Sequence, residues 1–294
     1  MKSIGLFLVL AVIAINAPCQ SNEFRNQRAQ LAAFNIGFNG LIGGVGRLIN
    51  NQENTTGFQA FVKGFYQGAI GGTVSHIGLS LTHQIQLQQN ISYAWPARLV
   101  NSLGASIIQN TAEGRRMFER LHLNLYVTRL EYFPSQKRFT GRLFTSSIYG
   151  ILVVGNNARF NLARSLQSGI LYFESDRPFA LAGLGVSGIA TGQVSSIGMN
   201  TDLSGDAFYN IYAEETAHIL QYDRKVGGNA LLFNVNAKLT ESSKLYKTLS
   251  KYLYADLNGP LFWAGYYLSG TTHNCNFFEQ EAVNYSYKAA YKCN

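Results

Sequence analysis

Residues 64–97 contain no Asp, Glu, Lys or Arg, and Gly64, Gly68, Gly71, Gly72 and Gly78 punctuate them. Gly64, Gly68 and Gly72 recur at every fourth position, so on a helix they share one face. A face without side chains lets a second backbone approach closely, which predicts a buried, tightly packed helix. Gln67, Ser75, His76, His83, Gln84, Gln86 and Gln88 in the same stretch argue against a lipid-exposed span. Residues 36–49 are similarly rich in glycine and are expected to join that packing. Composition agrees with a folded chain that has a sizeable core: of 294 residues, 47% are hydrophobic and 14% charged. It excludes disorder, collagen-like repeats and coiled coil, and a mean hydropathy near zero excludes a bundle of membrane spans. The net charge is +8, but the basic residues are scattered without a dense run. That pattern points away from nucleic acid and toward an anionic neighbour such as a membrane surface.

Residues 1–20 read as a secretory signal, with Lys2 as the positive start and an apolar run over residues 6–15. The run is too short to span a bilayer, and Asn16, Gln20 and Ser21 follow it. The expected protein is therefore exported, periplasmic or associated with an outer membrane, and mature from residue 21. Cys19 sits where a lipoprotein signal places its acylated cysteine, but Asn16 and Pro18 fit that pattern poorly, so simple removal is the preferred expectation. Removal of Cys19 leaves Cys275 and Cys293. Two cysteines in an oxidising compartment form a natural disulfide pair, here one that pins the C-terminal tail.

No internal repeat or proline-rich linker divides the mature chain. It is expected to be a single α+β domain: glycine-rich helices over residues 21–120, then a sheet and further helices over residues 121–294. Leu121, Leu123, Leu125 and Val127 alternate with His122, Asn124, Tyr126 and Thr128, the period of a half-buried strand. Residues 142–154 and 159–174 are rich in β-branched and aromatic residues, and Gly155-Asn156-Asn157 is a turn signal between them. A central, twisted antiparallel sheet through residues 121–175 follows, with a further strand at 193–199. Helices resume at Asp206. Ser204 or Asp206 can cap the first, and Gly227-Gly228 can end it. Another helix at 240–253 carries Lys244, Lys247 and Lys251 on one side, the pattern of a solvated face.

The segment Ala213-Glu214-Glu215-Thr216-Ala217-His218-Ile219-Leu220-Gln221 is the chemically most informative. It resembles the zincin metallopeptidase helix, where His-Glu-x-x-His is often extended by a Gln three residues on. In that motif two imidazoles at i and i+4 hold zinc from one helix face, and the intervening glutamate activates a bound water. The resemblance assigns Glu215 to the general base, His218 to the second ligand and Gln221 to the downstream glutamine. Glu214 stands where the first histidine ligand belongs. The segment Asn276-Phe277-Phe278-Glu279-Gln280-Glu281-Ala282-Val283 resembles the later zincin helix that supplies a third ligand, with Glu279 at the ligand position. Val283 replaces that helix's aspartate, which removes outer support. The likeness covers roughly the last hundred residues and implies zincin-like C-terminal helices.

Other patterns carry less. Gly40-x-x-Gly43-Gly44-x-Gly46-Arg47 has the flavour of a phosphate loop but lacks the Lys-Ser/Thr and the preceding strand, so its glycines are read as packing residues. His76, His83, His122 and His273 are isolated and read as hydrogen-bonded structural or surface histidines rather than catalytic ones. The segments Ala94-Trp95-Pro96-Ala97-Arg98-Leu99-Val100 and Gly104-Ala105-Ser106-Ile107-Ile108 are similar to exported proteins of Bacteroidetes-type envelopes. In such envelopes a plug subunit closes the barrel of an outer-membrane secretion translocon. Two functional expectations follow. The first is a non-catalytic, zincin-like envelope protein that binds a protein partner, for example an outer-membrane protein, with membrane contact and no cofactor. The second is an active metallopeptidase that binds zinc or another divalent metal through Glu214, His218 and Glu279.

Overall fold

In the computed structural model, described residues are 24–51, 55–145, 151–152, 154, 158–181, 184–186, 188–191, 196–225, 228–256, 258–269 and 275–286. The fold is mixed helix and sheet, α+β as the sequence implies. Residues 1–20, the Gly155-Asn156-Asn157 turn, His273 and Cys293 lie outside the described residues.

Three helices form the N-terminal part: α1 (Phe24–Ile49), α2 (Gly57–Leu81) and, after a short α3 (His83–Leu87) and a 3-10 turn, α4 (Ala94–Ala112). Thr56 starts α2 with a full capping box, exchanging hydrogen bonds with Gln59. The glycines of α2 divide between two neighbours. A Cβ at Gly64 or Gly68 would fall on the carbonyl oxygen of Gly43 or Asn39 in α1, and one at Gly72 would lie 2.9 Å from the Asn35 carbonyl oxygen. Gly71 and Gly78 instead abut α4, where a Cβ on Gly71 would lie 2.9 Å from the Gly104 carbonyl oxygen. The backbones of α1 and α2 thus meet along the fourfold glycine row, as its spacing predicts, while Gly71 and Gly78 bring α4 against α2. Gly40, Gly43, Gly44 and Gly46 are all interior to α1 and pack on α2 and α4, so they form no phosphate loop.

Two four-stranded sheets follow, rather than the single antiparallel sheet expected through residues 121–175. The first contains β1 (Leu121–Leu125), β2 (Thr128–Phe133) and β3 (Arg138–Phe144), all antiparallel, with β10 (Leu253–Tyr254) added in parallel beside β3. The second has the order β4-β5-β9-β8, from Arg159–Phe160, Leu171–Ser175, Ser196–Asn200 and Gly188–Thr191. Its central pair β5–β9 is parallel. β6 (Phe179–Leu181) and β7 (Leu184–Val186) form a small hairpin. Within the expected strand at 159–174 the chain instead makes α5 (Leu162–Ser168). Residues 162–168 contain no β-branched or aromatic residue; the Asn161 side chain accepts from the Arg164 N–H and Gly169 ends the helix at φ +72°, so both ends are capped. The strand expected at 193–199 includes β9 (Ser196–Asn200).

The C-terminal helices are α6 (Gly205–Lys225), α7 (Gly228–Leu231), α8 (Phe233–Ser242), α9 (Lys244–Tyr252), α10 (Asn258–Ser269) and α11 (Phe277–Ser286). Gly228 opens α7, and Gly227 of the expected cap lies outside the described residues. The helix expected at 240–253 is two helices, because Ser243 leaves helical geometry and its side chain caps α9 by accepting from the Tyr246 N–H at 3.2 Å. Phe208, Tyr212 and Ile219 of α6 pack on Tyr172, Ile197 and Met199 of the second sheet to form the largest core cluster. The Asn101 side chain in α4 takes the Ser75 hydroxyl of α2 and donates to the Leu220 carbonyl of α6 at 3.2 Å. Arg98, nearly inaccessible, donates to the carbonyls of Gly169 and Asn124 and so ties α4 to β1 and to the end of α5.

Candidate functional site

On α6, Glu214, His218 and Gln221 lie at i, i+4 and i+7 and share one face. Opposite them lies α11, whose start is fixed by Asn276: its side-chain oxygen accepts from the Phe278 N–H at 2.9 Å. That cap places Glu279 in the first turn of α11, aimed at α6. Ligand-capable atoms of Glu214, His218 and Glu279 all lie within 4.8 Å of one another. These are the three residues the zincin resemblance selects, brought together from positions about 60 apart in sequence.

The hydrogen bonds fix the imidazole. Gln221 spends both side-chain N–H groups on the Phe278 carbonyl and Glu281 Oε2, each at 2.9 Å. Its oxygen is left to accept, so His218 Nδ1 donates to it at 3.0 Å. His218 Nε2 then faces Glu279 Oε2 at 3.2 Å, while the Tyr266 hydroxyl of α10 donates to Glu279 Oε1 at 2.7 Å. Burial opposes charge on His218, but the adjacent Glu279, with Glu215 and Glu214, outweighs it and pushes the imidazole well up. Burial pushes the Glu215 carboxyl up to about 8; Glu214 and Glu279 add to this and His218 opposes it. Glu215 accepts a backbone hydrogen bond from Ala190 of β8, so it faces the second sheet beside the cluster.

Comparison with protein-family models, with curated proteins and with solved structures finds no match to this chain.

Behind the cluster is a layer that sequence reasoning missed. Glu281 and Arg224 form an ion pair at 3.1 Å with no exposure of either side chain. Asn35 of α1 donates to Glu281 Oε1 at 2.7 Å and to the Tyr285 hydroxyl at 3.0 Å, and His76 Nδ1 meets the same hydroxyl at 2.6 Å. Val283, which stands where the zincin pattern has its aspartate, lies fully in the core. Gln221 supplies the outer hydrogen bond to His218 instead. Glu281, two residues after Glu279, had a weak signal in its second carboxylate on a buried apolar segment. Tyr266 and Asn35 had none, because only packing brings α10 and α1 to this place. His83 and His122 are structural, bonded to the Ser286 carbonyl at 2.7 Å and to Ser106 at 3.1 Å. Cys275 immediately precedes the Asn276 cap; the Cys275–Cys293 pairing falls outside the described residues.

Proposed function

We propose that this chain is an exported, zincin-like envelope protein that has lost hydrolysis and acts by binding a protein partner, an accessory or plug subunit of an outer-membrane translocon being the class of role it suits. One observation carries the non-catalytic half. Both His218 nitrogens are engaged by the chain's own side chains, Gln221 at 3.0 Å and Glu279 at 3.2 Å, and Glu214 occupies the place of the nitrogen ligand. The cluster thereby works as a polar latch between α6 and α11. Export, the Cys275–Cys293 bond and the partner are part of the same reading and rest on the sequence.

A second reading has its own support. The donor set of one nitrogen and two carboxylates, within 4.8 Å, suits iron, manganese or zinc. A divalent ion would take His218 Nε2 once the ring gave up its proton there, with Gln221 holding Nδ1–H as a metal-bound histidine needs. Glu215, beside the cluster, would then be placed as the base that takes a proton from water.

Metal analysis after zinc exposure and dialysis separates the two. The wild-type protein should retain well under one zinc per chain and show no chelator-sensitive peptidase activity, and Glu214→His should raise zinc retention. Stoichiometric metal in the wild type that is lost in His218→Ala would establish the second reading. No gain in Glu214→His would remove the zincin assignment.

A further inference from the structure

The first sheet and the helix beside it are turned inside out. On β1 and β2 the buried side chains are the polar ones, His122, Asn124, Arg129 and Glu131; on β3 only Phe144, at its end, is buried. Glu131 is enclosed by Arg129 at 2.9 Å and Arg142 at 2.6 Å, with Arg120 at 3.6 Å, so this inner face is satisfied electrostatically. Strand alternation therefore sends the leucines outward. Leu130, Phe139 and Leu143 are exposed on one face, and Phe139, 75% accessible, stacks on Tyr132 at 4.4 Å.

Helix α9 repeats the inversion. Its residues fall into three stripes. Tyr246 and Ser250 are half-buried against the body, and the Tyr246 hydroxyl donates to Asn236 of α8. Leu245, Leu249 and Tyr252 form an apolar stripe turned to solvent, with Leu245 70% accessible. Lys244, Lys247 and Lys251 form the third stripe, also exposed, and α9 contains no carboxylate. The helix leads directly into the sheet: the chain passes from Tyr252 into Leu253, whose register partner on β3 is the exposed Leu143. Lys137 and Arg138 add positive charge at the far end of β3.

We propose that this face, α9 together with the leucine side of β2–β3, docks on the surface of an anionic lipid bilayer. Exposed apolar residues grouped on one face and rimmed by polar ones mark an interaction surface. Charge complementarity selects the occupant. An apolar stripe bordered by lysines, with no acid among them, lies flat at a lipid interface; its leucines and tyrosine enter the acyl boundary and its ammonium groups reach phosphate. A second copy of the chain meeting the same face about a twofold axis would set lysine against lysine. No described helix is long and apolar enough to cross a membrane, so the contact is peripheral. This inference does not depend on the His218 cluster.

Co-sedimentation of the full chain with phosphatidylcholine vesicles, with and without phosphatidylglycerol, is the test. Three proteins are compared: wild type, Lys244→Gln/Lys247→Gln/Lys251→Gln, and Leu245→Ser/Leu249→Ser. All substituted side chains are exposed, and circular dichroism checks that each variant folds. The wild type should bind the anionic vesicles, more weakly as salt is raised. The lysine variant should bind on the order of a hundredfold more weakly, and the leucine variant should also lose binding. Equal binding by all three, including any due to residues 1–20, would overturn the proposal. So would a wild type that ignores vesicles, or one that forms a dimer broken by Leu245→Ser/Leu249→Ser.

Discussion

Replacing Gly68 by alanine tests the close approach of α1 and α2. The new Cβ would fall on the Asn39 carbonyl oxygen and sit 3.1 Å from Gly43 Cα and 3.2 Å from the Asn39 carbonyl carbon. All three are backbone atoms, so no side chain can rotate away, and the helices must separate by several tenths of an ångström along their whole contact. Gaps of about 0.5–1 Å forfeit a quarter to a half of each dispersion contact. Overpacking of this kind costs about 1–3 kcal/mol, and the rigid surroundings put Gly68 at the upper end. Alanine returns about 1 kcal/mol of helix propensity, which leaves a net loss of about 2 kcal/mol. At roughly 2–4 °C per kcal/mol, the melting temperature should fall by about 4–8 °C. Gly37 supplies the control within α1: a Cβ there meets nothing within 4 Å. Gly37→Ala should therefore gain about 1 kcal/mol of propensity and melt higher. The assay is thermal unfolding followed by circular dichroism on the three proteins. If Gly68→Ala melts at or above the wild type, the helices do not meet along this glycine row and the packing argument fails.

Acid sensitivity should come from the buried arginine cluster. Burial would raise the Glu131 carboxyl, but Arg129, Arg120 and Arg142 hold it down to about 2, against an ordinary value of 4.5. The sign follows: its contribution is complete above about pH 4.5 and is lost as pH falls toward 2, worth about 3 kcal/mol in all. Glu131→Gln should flatten that part of a denaturation-against-pH curve, and an unchanged slope would show that other carboxylates dominate. For the C-terminal pair, thiol labelling of denatured, unreduced mature protein should find neither Cys275 nor Cys293 reactive; a bond over this short loop would stabilise by about 3 kcal/mol in the chain-entropy model.

Much of the helical architecture could be read from one dimension, because helix contacts repeat with a short period. Fourfold glycine spacing is itself a statement about one face of a helix, and it found the α1–α2 contact without knowledge of either partner. The same locality made Glu214, His218 and Gln221 cofacial, and the second half-motif named Glu279. What the sequence left undetermined is non-local. Alternation in β1 established that one side is buried but not which side; the polar side was chosen because α4 presents Ser106 and Gln109 to receive His122 and Arg129. The capping of α5 by Asn161 and Gly169 was present in the sequence, but the strand-like residues on either side, Phe160 and residues 170–173, obscured it. The parallel joining of β10 to β3, and the arrival of Tyr266 and Asn35 around the histidine cluster, depended on how distant elements settled. Local spacing determined which residues could act together. Tertiary packing decided which of them face the core, which bond one another, and which were left on the surface.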